Sequence, residues 1–149
     1  MQFNIICIGK CKDKNIISIY DDYVKRLKPF SVKVNLIELN HGKGSADEIK
    51  KQERDSILSK VPASSFLIAL DERGKQYKTS KFAKLIEQKA TEGFSNYSLV
   101  IGGAEGLHPD IRSKSNLVLA LSEMTLPHML VRPILSEQLY RVVTFNSGH

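Results

Sequence analysis

Residues 99–111, LVIGGAEGLHPDI, end an apolar run on two adjacent glycines, Gly102 and Gly103. A third follows at Gly106, and the chain restarts with His108, Pro109 and Asp110. Glycines at a strand's C-terminal end have two uses. They make a tight turn that needs positive φ, or they let a ligand lie flat against backbone at the edge where α/β sheets bind ligands. The spacing fits neither phosphate-binding fingerprint. A dinucleotide loop needs G-x-G-x-x-G opening a long helix, and a P-loop needs Gly-Lys-Ser/Thr, which the chain lacks. Two other strand ends share the design, IALDERG at 68–74 and LSEMTLP at 121–127. Three backbone-rich loops converging on one ligand suit an adenine edge, which takes one donor and one acceptor rather than charges.

Four side chains in the last third could move a proton or stabilise an anion: His128, Arg132, Glu137 and Arg141. At ~100° per residue, His128 and Arg132 share one helix face, and Glu137 and Arg141 share a face roughly opposite. One helix cannot aim both pairs at one substrate. Either one pair serves a neighbouring protomer's site, or Glu137–Arg141 is an ordinary ion pair. Val131, Leu135, Leu139 and Val142 form one apolar stripe, with Leu130 and Ile134 on another side. That pattern predicts burial on two sides, by the chain's own core and by a second copy, or else a central core helix. His41, His108, His128 and His149 have no metal-ligand spacing, so no metal is expected. Cys7 reads as a small core residue, and its separation from Cys11 does not suit a redox pair.

The elements that must position these groups follow from periodicity and breakers. Residues 3–8 are apolar throughout and read as a buried strand. Residues 16–27 carry apolar side chains at 16, 17, 20, 24 and 27, a helical spacing that Pro29 ends. Residues 32–39 alternate as a strand. Residues 46–60 read as a charged helix with a thin stripe at Ile49, Ile57 and Leu58, stopped by Pro62. Residues 66–70 form a short buried strand, and 71–78 a polar loop with Gly74. Thr79 or Ser80 caps a helix from 81 to about 92, closed by Gly93. Strands at 98–101 and 117–121 bracket a short helix with Pro109 in its first turn and Asp110 near its positive end. A long apolar helix follows Pro127 to about residue 144. Strands alternating with helices give a single α/β domain over residues 1–149 with a mostly parallel sheet.

Bulk properties agree. Of 149 residues, 42% are hydrophobic and 26% charged, the balance of an ordinary globular domain. No apolar run approaches the ~20 residues of a membrane span. The first ten residues have the wrong flanks for a signal peptide, and the cytoplasm is the expected location. The net charge of +6 is unevenly placed. Residues 1–90 hold 18 Lys and Arg against 11 Asp and Glu, whereas residues 91–149 hold 4 against 5. The basic first part is either phosphate-facing or a solvated, Lys-rich surface.

VIGGAEGL at 100–107, LSEMTLPHMLVR at 121–132 and EQLYR at 137–141 resemble the large-subunit ribosomal RNA methyltransferase H family, small members of the SPOUT class. FNIICIGK at 3–10, YVKRLKP at 23–29 and LIEL at 36–39 match the same family, so the resemblance spans essentially the whole chain. It implies a C-terminal trefoil knot and S-adenosylmethionine held bent by the knot loops. It also implies a homodimer that makes N3-methylated pseudouridine in large-subunit rRNA on assembled ribosomes. Carried over, the cofactor contacts fall at Leu70, Gly102, Gly103, Leu121, Ser122, Glu123, Met124, Thr125 and Leu126. On this reading a Cβ at Gly103 would occupy the cofactor's space. Loss of the N3 proton would be helped by a nearby base or a positive charge, with His128, Arg132, Glu137 and Arg141 as the candidates. Two positions depart from the family. Pro133 stands where an aliphatic residue is usual and is expected to kink the helix or move its start. The family's tail continues past the position of His149 with a Pro-Tyr-His-Arg stretch that contributes to substrate recognition. A chain ending at His149 would be expected to bind cofactor with weakened turnover. The rival reading is a non-catalytic RNA- or ribosome-binding domain. It fits the basic first part and leaves the glycine turn and the Ser122–Thr125 loop unexplained.

Overall fold

The first strand is apolar at consecutive positions because both of its faces are covered. β1 (Gln2–Ile8) sends Phe3, Ile5 and Cys7 into one core, and Ile6 and Ile8 into another on the opposite side of the sheet. The computed structural model describes residues 1–148, and the His149 reading lies outside them. The remaining elements are α1 (Lys14–Arg26), β2 (Lys33–Leu39), α2 (Ala46–Lys60), β3 (Phe66–Gln76), α3 (Thr79–Thr91), β4 (Asn96–Ile101), α4 (Pro109–Lys114), β5 (Leu117–Ala120) and α5 (His128–Asn146). All strand pairs are parallel, in the order β2-β1-β4-β3-β5. One face carries α1, α3 and α5 over the larger core, and the other carries α2 and α4 over Ile57, Leu107 and Ile111.

Local chemistry sets the boundaries. α1 starts two residues before its apolar spacing does, because Asp13 accepts the Asn15 and Ile16 N–H groups as an N-cap. α2 opens on a capping box between Ser45 and Glu48. α3 begins at Thr79 behind Lys78, so neither Thr79 nor Ser80 is its cap. Thr79 Oγ1 instead donates to Gln138 Oε1 of α5 at 2.8 Å. Pro109 opens α4, with His108 accepting the Asp110 N–H.

Two expectations need correction. The polar stretch after Leu70 is not simply a loop. β3 runs to Gln76, leaves register after Leu70 and rejoins β5 with Lys75 opposite Leu119 and Gln76 opposite Ala120. Gly74 permits that return, since a Cβ there would stand 2.5 Å from the Val118 carbonyl oxygen. Pro133 does not move the start of α5, which is continuous from His128 to Asn146 with Pro133 buried inside it. Packing of Val131, Leu135, Leu139 and Val142 against the core outweighs the missing N–H. The second apolar side of α5 is open in the single chain: Leu130 and Ile134 are exposed, as is Phe145 near its end.

Candidate functional site

The segments at the C-terminal ends of β3, β4 and β5 line a cavity partly open to solvent. β3 contributes Leu70, Asp71 and Glu72. The glycine turn after β4 contributes Gly102, Gly103, Gly106 and Leu107. The segment after β5 contributes Leu121, Ser122, Met124 and Leu126, and α5 contributes His128 and Val131. The three strand ends singled out in the sequence therefore meet. Of the residues carried over by resemblance, Leu70, Gly102, Gly103, Leu121, Ser122, Met124 and Leu126 line the cavity. Glu123 and Thr125 are exposed on the same loop, outside the lining.

Hydrogen bonds hold these loops in place. Gly106 N–H donates to the Gly103 carbonyl at 3.0 Å, closing the turn. Ser122 Oγ accepts the Met124 N–H at 3.0 Å. Arg112 Nη1 reaches both the Leu107 carbonyl at 3.0 Å and Asp71 Oδ2 at 3.4 Å, so one guanidinium ties the glycine turn to the β3 end. Asp71, which lines the cavity, and Arg112, which supports it from behind, are absent from the residues the sequence reading named. Asp71 stands where β3 leaves register after Leu70, within the 68–74 stretch singled out in the sequence, which is the signal that could have found it.

The glycines play a different part from the one expected. Positive φ falls on Gly106 (+78°), while Gly102 and Gly103 adopt ordinary φ. A Cβ on Gly103 would point away from the cavity, to 3.1 Å from Ile8 Cγ2 and 3.2 Å from Glu53 Oε1. One on Gly102 would meet Leu107 Cδ2 at 3.0 Å. The missing side chain at Gly103 lets the turn settle onto β1 and α2, and the one at Gly102 lets Leu107 fold back against the turn.

The four proposed proton-handling residues separate. His128 sits at the start of α5 in the cavity wall. Burial, and then the charges of Arg132 and His41, lower its pKa from the usual 6.5, which leaves it neutral at pH 7. Arg132 shares that face but is 2% exposed and turned toward the ends of β1 and β2. Its Nη1 donates to Glu38 Oε2 at 2.6 Å, and its Nη2 to the carbonyls of Gly9 at 2.6 Å and Ile8 at 3.2 Å. Glu137 and Arg141 pair with each other away from the cavity. Glu137 is steadied by Gln138 Nε2 at 2.8 Å, and Arg141 is largely exposed. A single chain thus brings only His128 of the four to the cavity. Cys7 is buried beneath Arg132, and burial pushes its thiol up to about 11. Among the described residues, no three His, Cys, Asp or Glu side chains are grouped to hold a metal, and no helix is long and apolar enough to cross a membrane.

With this geometry in place, comparison with known proteins is decisive. The family model described as "Predicted SPOUT methyltransferase" matches residues 1–149. The chain belongs to the SPOUT methyltransferase family. It is similar to proteins named ribosomal RNA large subunit methyltransferase H from Clostridium novyi (41% identical over 99% of this chain and 97% of the relative) and Allorhizobium ampelinum (38% identical over 100% and 97%). Among solved structures, a methylase-family protein from Haemophilus influenzae Rd KW20 shares the fold with a TM-score of 0.54 at 13% identity, covering 98% of this chain and 68% of that one. The cofactor of this SPOUT methyltransferase is S-adenosylmethionine.

Proposed function

We propose that this SPOUT methyltransferase transfers a methyl group from S-adenosylmethionine to N3 of a pseudouridine in large-subunit ribosomal RNA, acting on assembled ribosomes in the cytoplasm as a homodimer with a knotted C-terminal part. The observation that carries the cofactor site is the convergence of three strand ends on one cavity, at the carboxyl edge where parallel α/β sheets bind ligands. The residues fit the cofactor. The glycine turn and the residue 121–126 segment offer backbone donors and acceptors suited to an adenine edge. Leu70, Leu107, Leu119 and Val131 give apolar walls, and Asp71 and Glu72 add negative charge suited to a cation.

When bound, S-adenosylmethionine supplies a methyl group already activated on a sulfonium. The chain's residues then have two tasks, to align the acceptor nitrogen and to take its proton. His128, neutral and in the cavity wall, accepts the N3 proton. Arg132 fixes α5 to the ends of β1 and β2 and so sets where His128 stands. The Glu137–Arg141 pair, remote from its own cavity, serves the neighbouring protomer's site. In support, Leu130 and Ile134 leave an exposed apolar face on the same helix. Calorimetric titration of S-adenosylmethionine, followed by labelled-methyl transfer to ribosomes isolated without this modification, tests the reading. Saturable binding and label at one pseudouridine are expected. No binding would return the chain to the rival reading of an RNA- or ribosome-binding domain.

A further inference from the structure

Glu53 is a carboxylate that the fold buries and does not neutralise. It lies on the inner side of α2 and is 4% exposed. Oε2 accepts the Gly42 N–H at 2.9 Å, while Oε1 has no partner. Among the described residues no Lys, Arg or His forms an ion pair with it. The arginines behind the cavity are committed elsewhere: Arg132 pairs with Glu38, and Arg112 pairs with Asp71. Oε1 lies directly behind the glycine turn, 3.2 Å from where a Gly103 Cβ would stand, and Gly103 lines the cavity. A buried charge is costly unless something compensates it. Here the open position for a compensating cation is on the far side of one glycine backbone. In a low-dielectric wall a charge acts across such a distance without direct contact.

We infer that Glu53 is a buried counter-charge of the cofactor site, acting from behind the wall in addition to Asp71 and Glu72 in the lining. It weights the cavity toward the positively charged sulfonium donor and against S-adenosylhomocysteine, whose thioether sulfur is neutral. Spent cofactor is thereby exchanged for fresh by charge as well as by shape. This rests on the reading that the cavity takes S-adenosylmethionine. Both ligands share the adenosine, the α-ammonium and the carboxylate, and they differ in the methyl group and the charge at sulfur. The methyl difference is the same for wild type and variants, so a change in the affinity ratio reads the charge.

The test is to titrate S-adenosylmethionine and S-adenosylhomocysteine separately into the full chain, comparing wild type with Glu53→Gln, Glu53→Met and Glu53→Asp. The glutamine amide oxygen keeps the Gly42 bond, and methionine fills the volume without polar atoms should the glutamine variant fold poorly. Removing the charge is expected to lower the ratio of donor to product affinity on the order of tenfold, mostly by weakening the donor. Glu53→Asp is expected to recover most of the ratio. An unchanged ratio in both neutral variants overturns the inference, as does an equal loss of both ligands, which would make Glu53 a packing residue. Wild-type protein that binds neither ligand overturns the cofactor-site reading itself, a distinct outcome.

Discussion

Replacing Gly74 by alanine tests whether the break in β3 shapes the cavity. The new Cβ would stand 2.5 Å from the Val118 oxygen, 2.6 Å from its carbonyl carbon and 2.9 Å from the Leu119 nitrogen. All three are backbone atoms of β5, so no side-chain rotation relieves the overlap. The strand or the irregular segment must shift by roughly an ångström to restore ordinary contact. Overpacking of this kind costs about 1–3 kcal/mol. The stiffer unfolded chain offsets about 0.4–1 kcal/mol of that. A net loss of about 1–2 kcal/mol lowers Tm by roughly 2–8 °C in a chain of this size. Leu119 and Leu121 line the cavity from β5 and the segment after it, so the shift also moves a wall. S-adenosylmethionine affinity is expected to fall about tenfold, equivalent to about 1.4 kcal/mol. Gly93→Ala is the comparator: φ is +107° there and a Cβ would meet nothing within 4 Å. It should cost about 1 kcal/mol of backbone strain and leave affinity unchanged. Thermal unfolding by circular dichroism and calorimetric titration read the two effects. A Gly74→Ala protein that melts and binds like wild type would refute the role given to the β3 break.

Three further outcomes follow from the same geometry. Arg132→Met removes the cation that bridges Glu38 and the Ile8 and Gly9 carbonyls, and should cost about 2–4 kcal/mol in urea unfolding; a change under about 0.5 kcal/mol would deny it that structural role. His128 must be neutral to accept a proton, and its pKa is lowered from 6.5, so single-turnover transfer should stay level from neutral pH down to about 6.5 and fall only below it. The same lowering means that the unfolded chain binds this proton first, so the stability His128 contributes is present above pH 6.5 and is lost as pH falls through the folded value; His128→Asn should abolish the acid limb of the rate profile, and an unchanged limb would assign it to another group. Arg141→Ala should leave cofactor affinity intact and lower methyl transfer to ribosomes by about tenfold or more, whereas normal transfer would make Glu137–Arg141 an ordinary helix pair.

The fold was legible wherever one physical cause dominated. Residues 3–8 read as a buried strand because both faces needed apolar side chains, and both are covered. Pro109 and Gly93 marked helix ends because each has a backbone reason to be there. The second half of β3 was not legible. Asp71, Glu72, Arg73 and Gly74 show no period of two, and what returns the chain to β5 is the lack of a side chain at Gly74 opposite Val118. That requirement is set by a strand more than forty residues later. The cavity loops could be named because strand ends in a parallel sheet converge by topology. What each loop residue faces could not be, since side-chain direction depends on the final turn geometry.

Arg132 and Gly103 show where reading a helix wheel or a motif stops. Position on the wheel correctly put Arg132 beside His128, and a cation near a candidate proton acceptor suggests catalysis. The structure gives it three acceptors at the ends of β1 and β2 instead, none within reach of sequence spacing. Gly103 was expected to be bare for a ligand's sake, yet its missing Cβ faces Ile8 and Glu53. Both corrections point inward from the cavity to its supporting layer. There a paired cation and a carboxylate without an ion-pair partner lie behind the wall. Asp71 and Glu72 give the wall negative charge, but Asp71 is paired with Arg112. The supporting layer adds to that charge, since Glu53 behind the glycine turn has an oxygen without a hydrogen-bond partner.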